Sequence, residues 1–405
     1  MTTYGRSPWI DHVPASRVPA YPRHRGHINA EVAIVGGGLT GCATAYAFSA
    51  AGIKAVLLEA GRIGRGGTAS GAGWIGDDPG VSFADLEHAL GLRVARRAWQ
   101  AWHRAGLDFS ALLRRLDVRC ALESRGSVTV AIDPEQAGRL RREQKARREA
   151  GLDAPLLNAR TIAGETGLAA TVGIRARNGA TLDPYRAAMG LAAAAIERGA
   201  RVFERSPVKR IRFDRKAVDL HTANGTVRAA RVIVATGLPT PLFKALQRHF
   251  WFRHAYLALT APIPARIRHQ LGGREVVVTD SAQPAHLVRW VGDDRLLVMG
   301  ADAESPPDRQ RERTIVQRTG QLMYELSMLY PDISGIPPES GWDAPYGRTG
   351  DGLPFIGPHR NYPHHLFVFG DASHNAAGAY LASRILLRHH LGELEPADEA
   401  FGFRL

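Results

Sequence analysis

The stretch EVAIVGGGLTGCATAYAFSAAGIKAVLLEA, residues 31–60, decides the fold. Residues 31–36 form a short apolar run and read as a buried strand. Residues 39–51 carry small and apolar side chains on every side, the composition of a buried helix, and Gly52 ends it. Residues 54–59 are a second buried strand. A strand–helix–strand unit of this kind requires a parallel sheet covered on both faces. Between the first strand and the helix stands Gly36-x-Gly38-x-x-Gly41. Gly36 permits the tight turn, Gly38 lets a pyrophosphate approach the backbone, and Gly41 lets the helix pack on the strand. The first helical residues, Leu39 and Thr40, offer N–H groups to the phosphates. Glu59 closes the second strand, where a carboxylate accepts both ribose hydroxyls and repels a 2′-phosphate, so NADP is disfavoured. Strand, helix and terminal acid together point to a dinucleotide site.

Outward from this unit, the fold class is α/β with an α+β substrate domain. A Rossmann-like parallel sheet is interleaved with an antiparallel sheet. The expected division is an N-terminal arm (1–29), a dinucleotide domain (30–85, 183–245 and 340–400) and a substrate domain (86–182 and 246–339). The Pro-rich arm is expected on the surface, with Trp9 and Tyr21 as anchors. Residues 84–117 and 134–150 read as helices around a strand at 127–132. Asp183 reads as the N-cap of a helix that starts at Pro184 and stops at Gly199. Strands are expected at 201–204, 209–213, 217–221, 226–228 and 231–235, then an antiparallel sheet from 254 to about 300 and a helix from about 308 to 329. A loop over 341–358, a strand at 365–369 and a helix from about 375 complete the chain.

Composition excludes several functions. No uncharged run reaches the ~20 residues that a bilayer span needs, and the N-terminus lacks the apolar core of a secretory signal. Cys42 and Cys120 are the only cysteines, too few for a disulfide framework, so a cytoplasmic setting is expected. No His, Cys and carboxylate cluster has metal-ligand spacing, so no metal is expected. The net charge of +13 comes almost wholly from arginine. Its densest run, Arg139 to Arg148, reads as a solvated helix without the interleaved aromatics of a single-strand binder, so no specific nucleic acid is expected.

Further Gly-rich segments favour FAD over NAD: the loop from Gly64 to Gly73, the strand end at Thr236-Gly237, and a strand–Gly370–helix element. With EVAIVGGGLTG (31–41), VLLEAGRIGRGGTASGAG (56–73), GATLDPYRAAMGLAAAA (179–195), VIVATG (232–237) and TGDGLPFIGP (349–358) followed by LFVFGDASH (366–374), the chain resembles the D-amino-acid-oxidase-like (DAO) family. That family includes glycine, sarcosine and γ-glutamylputrescine oxidases. The resemblance spans residues 30 to about 392.

The resemblance implies that Ala60, Arg62, Gly67, Thr68, Ser70, Ala72 and Gly73 wrap the adenosine, pyrophosphate and ribityl chain, and that Val208 contacts adenine through its backbone. Asp351, Gly352 and Pro354, with Gly370, Asp371, His374, Asn375 and Ala376, would lie by the isoalloxazine. A helix N-terminus near Asn375 would stabilise the charge gained on reduction. Covalent members attach the flavin through a Cys before the T-x-D-x-x-P motif or a His after the second strand. Here Ala344 and Ser70-Gly71 stand near those places, so non-covalent FAD is expected. The amino-acid oxidases keep a carboxylate-binding Arg three positions before the motif Thr, where this chain has Tyr346. Arg348 directly precedes Thr349.

The expected reaction is removal of hydride from the carbon beside an uncharged amine or amino-acid nitrogen to flavin N5, giving an imine that hydrolyses. Dioxygen or another acceptor takes the electrons. His374 either tunes protonation or caps the last helix. Arg289 and Arg348 either bind an anionic substrate group or form ordinary ion pairs. Tyr256 and Tyr346 either line the pocket or fill the core, and Trp74 either walls the cleft or fills it. Two other readings stand beside this one: an FAD-linked nucleic-acid modifier, and a non-catalytic flavoprotein subunit of a larger dehydrogenase complex. The sequence leaves the oligomeric state open.

Overall fold

The computed structural model describes residues 2–271, 273, 275–292, 294–370 and 375–403. The strand–helix–strand unit forms as Gly26–Val35, Leu39–Ala50 and Ala55–Leu58. Its two strands pair in parallel, with Arg201–Phe203 outside Ala55–Leu58 and Gly225–Gly237 on the other side of Gly26–Val35. Gly225–Gly237 replaces the two short strands expected there. Its first half pairs with the hairpin Arg210–Phe213/Val218–His221, and its second half with His365–Phe369. The long strand therefore forks, and the parallel sheet continues through His365–Phe369 to the antiparallel edge Phe355–Pro358.

Helices Leu39–Ala50, Pro184–Glu197 and Ala377–Leu391 cover one face of this sheet, and their alanine-rich surfaces bring them close. Asp183 caps the second of them, accepting from the Arg186 amide at 3.0 Å, as the Asp-Pro pair predicts. Phe83–Leu90 and Leu92–Arg115 pack into the same core. They stand where one helix over 84–117 is expected, interrupted because Gly91 adopts φ +78°. Their placement departs from the expected domain boundary at 86. The other sheet face is aromatic, with Phe243, Phe250, Phe355, Phe367 and Phe369 in one cluster.

The second sheet has nine strands, in the order Thr3–Tyr4, Pro338–Arg348, Trp251–Thr260, Arg295–Glu304, Leu287–Val291, Val276–Asp280, Gly126–Ala131, Val172–Ala176 and Leu156–Asn158. It is mostly antiparallel, with parallel pairs at Thr3–Tyr4/Pro338–Arg348 and Val276–Asp280/Gly126–Ala131. Pro338–Arg348 is a strand of this sheet rather than part of the expected loop 341–358, so the expected boundary at 340 falls inside it. Helix Arg311–Leu329 covers one face, packing Ile315, Leu322 and Leu326 on Tyr256 and Ala258. The opposite face lies on the glycine-rich loop of the first domain, with Leu257, Leu259, Leu297 and Trp342 against Ala69, Ala72 and Trp74. This packing sets the site between the two sheets.

The basic run is helix Pro134–Glu149. Arg139 and Arg147 each pair with a glutamate one turn earlier, Glu135 at 2.5 Å and Glu143 at 2.6 Å. Arg147 also lies 4.4 Å over the Trp99 ring. No helix among the described residues is long and apolar enough to cross a membrane, and no group of three His, Cys, Asp or Glu side chains among them is arranged to hold a metal ion.

Candidate functional site

The glycine turn is built as its chemistry requires. Gly36 has φ +108°, and a Cβ there would lie 2.5 Å from Ala235 O. A Cβ on Gly41 would lie 1.8 Å from Gly36 O, so only glycine lets the helix pass this close to the strand. The amides of Gly38, Thr40 and Gly41 donate to no acceptor among the described residues, while the Leu39 amide donates to Thr68 Oγ1 at 2.7 Å. A helix start with free N–H groups is an anion site. Thr68 thus reaches the helix start from the second glycine-rich segment.

Glu59 sits at the strand end beside this turn. Its two carboxylate oxygens accept from the amides of Gly37 and Gly61, each at 2.6 Å. These bonds fix its orientation and leave acceptor capacity for ribose hydroxyls. Ala60 follows it on the exposed side. Arg62 is half-buried, and its guanidinium makes no ion pair or hydrogen bond among the described residues. Val208 follows Ser206, whose amide donates to Glu59 O at 2.8 Å, so the segment runs alongside the Glu59 turn. Neither the amide nor the carbonyl of Val208 is bonded within the described residues, which fits reading an adenine edge.

The loop following Thr68 presents two further orphaned amides. Ala72 and Gly73 are buried, yet neither donates its N–H to an acceptor among the described residues. Buried donors of this kind require a partner. Gly67 is exposed at the start of the short helix Gly67–Ser70, and Ser70 stands at its end. Thr236 bonds Leu238 O at 2.8 Å, and the Gly237 carbonyl receives the Gly370 amide at 3.1 Å, joining the two strand ends that border the site. In the motif loop, Thr349 Oγ1 donates to Leu353 O at 2.7 Å and Asp351 accepts from the Leu353 amide at 3.0 Å. Gly352 has φ +80°, and Gly352 and Pro354 are buried within the turn so formed.

The family model for FAD-dependent oxidoreductases of the DAO type matches residues 31–388. The chain belongs to that family. It is an FAD-dependent oxidoreductase, and the orphaned amides of Gly38, Thr40, Gly41, Ala72 and Gly73 fit that cofactor. Among its relatives, it is 24% identical over 377 residues to a probable oxidoreductase OrdL of Haemophilus influenzae, covering 91% of this chain and 84% of the relative. It is 26% identical over 379 residues to the gamma-glutamylputrescine oxidoreductase of Escherichia coli, covering 92% and 86%. The glycine oxidase structure from Geobacillus kaustophilus shares the fold at a TM-score of 0.75 and 20% identity, covering 91% of this chain and 96% of that one.

The substrate-side residues divide by sheet face. Tyr346 stands opposite Arg253, in regular register with the Ala344–Ala255 and Trp342–Leu257 pairs, and so shares the face that meets the glycine-rich loop of the first domain. Its hydroxyl donates to Asp302 Oδ2 at 2.6 Å, and Arg253 Nη2 donates to Asp302 O at 3.1 Å. Burial and the Asp302 charge push the Tyr346 phenol up, so it keeps its proton.

Tyr256 points the other way, beneath helix Arg311–Leu329, with Arg318 5.8 Å from its ring and its hydroxyl without a hydrogen-bond partner among the described residues. On that face Asp343 is held by Arg311 through two 2.8 Å bonds and lies 2.7 Å from His254 Nδ1. Burial opposes its charge, but these bonds outweigh burial and draw its carboxyl down to about 2.

Arg289 is buried and makes no ion pair among the described residues. Its Nε donates to Ala72 O at 2.6 Å and Nη2 to Leu182 O at 3.2 Å. Burial pushes its guanidinium down to about 10. Arg348 is exposed at the strand end. His374 and Asp371 lie outside the described residues. The last helix begins at Ala377, and Asn375 caps it, accepting from the Ala377 amide at 3.0 Å and the Gly76 amide at 2.9 Å. The Ala376 amide donates to Trp74 O at 2.8 Å, so this N–H serves the loop beside Trp74. Sequence reasoning missed Trp342, Asp302 and Arg253, and named Trp9 only as an anchor.

Proposed function

We propose that the enzyme oxidises the C–N bond of an amine, with the carbon beside an uncharged nitrogen losing hydride and the resulting imine hydrolysing in water. FAD, held without a covalent bond, supplies the hydride acceptor. Dioxygen or another acceptor takes the electrons in the second half-reaction. The observation that carries the substrate class is the Tyr346–Asp302 pair on the sheet face above the FAD loop. It stands where the resemblance puts a carboxylate-binding arginine in amino-acid oxidases. The Asp302 carboxylate attracts an ammonium group that the protonated phenol helps to orient, while Arg253, on the same face, is held to the Asp302 carbonyl. Asp302 also offers a base for the proton that the nitrogen must lose. The relatives' names, a gamma-glutamylputrescine oxidoreductase and a glycine oxidase, bracket amines and amino acids, and they do not favour a nucleic-acid modifier.

The test is a comparison of kcat/KM for the holoenzyme on aliphatic amines and on α-amino acids, repeated with Asp302→Asn. Amines should be preferred, and the variant should lose about tenfold to a hundredfold on them, the worth of one charge-assisted contact. A preference for simple α-amino acids, or an unchanged kcat/KM in the variant, would reject the reading.

A further inference from the structure

Four successive carbonyls of the FAD loop point out of the first domain, and each is taken by a donor from elsewhere. Ser70 O accepts from Trp342 Nε1 at 3.0 Å, Gly71 O from Trp9 Nε1 at 2.9 Å, Ala72 O from Arg289 Nε at 2.6 Å, and Gly73 O from the Leu182 amide at 2.9 Å. A peptide unit is planar, and the carbonyl of one residue and the N–H of the next point in opposite directions. Fixing Gly71 O outward therefore turns the Ala72 N–H inward, and fixing Ala72 O outward turns the Gly73 N–H inward. These two amides are the buried donors that lack an acceptor among the described residues.

Trp9 belongs to the N-terminal arm, and the arm is fastened on both sides of the cleft. Thr3–Tyr4 adds a strand at Ser340–Gly341, next to Trp342. Ser7 accepts from the Trp9 amide at 3.3 Å and starts the short helix Pro8–Asp11. The His12 carbonyl accepts from Arg186 Nη2 at 2.8 Å, on the helix that opens at Asp183. Trp9 itself is 3% exposed, and its ring lies 5.1 Å from the Arg289 guanidinium. The ring thus both supplies one of the four donors and covers the cation that supplies the next.

We propose that the N-terminal arm is a cofactor strap, in which Trp9, with Arg289, turns the Gly71–Ala72 and Ala72–Gly73 peptide planes so that their N–H groups bind acceptor atoms of FAD. The two residues are positioning residues, since they act through the loop. The inference rests on FAD binding alone, so it stands or falls independently of the substrate class.

Equilibrium titration of apoprotein with FAD, followed by flavin fluorescence, tests it in wild type, Trp9→Phe and Trp9→Ala. Trp9→Phe keeps an aromatic ring and removes the donor, so the FAD dissociation constant should rise about fivefold, the worth of one neutral hydrogen bond. Trp9→Ala also uncovers Arg289 and should raise it about tenfold to a hundredfold. A purely structural role would lower the apoprotein melting temperature and leave the dissociation constant within twofold of wild type, and that result would overturn the proposal. Because linkage is reciprocal, saturating FAD should slow hydrogen exchange of residues 7–13 in the wild-type protein. Equal exchange with and without FAD would overturn it even if Trp9→Ala fails to fold.

Discussion

Replacing Gly38 by Ala separates cofactor binding from folding. Gly38 has φ −72° and ψ −177°, extended backbone open to any residue, and its new Cβ would meet only Thr68 Oγ1, at 3.0 Å. The chain-entropy gain of Gly→Ala at a compatible site, about 0.4–1 kcal/mol, offsets that tight contact. The apoprotein should therefore keep its melting temperature to within about 3 °C. The same methyl group is added at the turn that carries the free amides of Gly38, Thr40 and Gly41, where a pyrophosphate would need to approach the backbone within hydrogen-bond reach. Losing two charge-assisted contacts at about 1.5–3 kcal/mol each raises the FAD dissociation constant by about two to four powers of ten. The assay is the flavin-to-protein absorbance ratio after desalting, with FAD titration and apoprotein melting alongside. Gly41→Ala is the contrast: its Cβ would lie 1.8 Å from Gly36 O, so it should destabilise the apoprotein itself. A Gly38→Ala protein with full flavin and a dissociation constant within twofold of wild type would refute the reasoning.

Two further outcomes follow from groups away from the cofactor. His286 lies between Asp280 Oδ2 at 2.6 Å and Glu325 Oε2 at 2.9 Å. Burial works against its charge, but the two carboxylates outweigh it and lift the imidazole from its ordinary 6.5 to about 9. With the folded-state value raised, the stabilisation is fully present below about pH 6.5 and is lost as pH rises through 9. It is on the order of 2 kcal/mol after allowance for solvent screening. Chemical denaturation from pH 6 to 10 should show this decline in wild type and not in His286→Asn; equal pH dependence in both would contradict it. Tyr256→Phe removes a buried hydroxyl that has no hydrogen-bond partner among the described residues, on the face remote from the glycine-rich loop. It should stabilise the protein by up to about 1–2 kcal/mol in denaturant titration, with kcat/KM within twofold, and a large loss of kcat/KM would place Tyr256 in the substrate site after all.

The sequence made the cofactor half legible because its constraints are local. A turn that only glycine can make, a buried helix and a terminal carboxylate follow one another within residues 31–60, and the structure realises them in that order. The strand Pro338–Arg348 was illegible for the opposite reason. Gly341 and Gly347 look like loop residues, yet they serve close packing, since a Cβ on Gly341 would lie 2.0 Å from Thr319 Oγ1 and one on Gly347 2.9 Å from Leu238 Cδ2.

Substrate-side residues were harder still. Strand Trp251–Thr260 is buried on both faces from Ala255 to Thr260, so no polar alternation reveals that Tyr256 and Leu257 face opposite ways. Tyr346 was named as a pocket residue, but its partner Asp302 comes from another strand, 44 residues away. Arg289 satisfies backbone carbonyls, and a carbonyl acceptor leaves no trace in side-chain identity. The role of Trp9 is hidden likewise, because its partner is Gly71 O.

The most direct test mixes the purified, flavin-loaded protein with an aliphatic amine in the absence of oxygen. The account predicts that the flavin absorbance bands bleach, with one equivalent of carbonyl product released per flavin reduced. Bands that persist through a panel of primary and secondary amines and amino acids, in protein that holds its flavin, would contradict it.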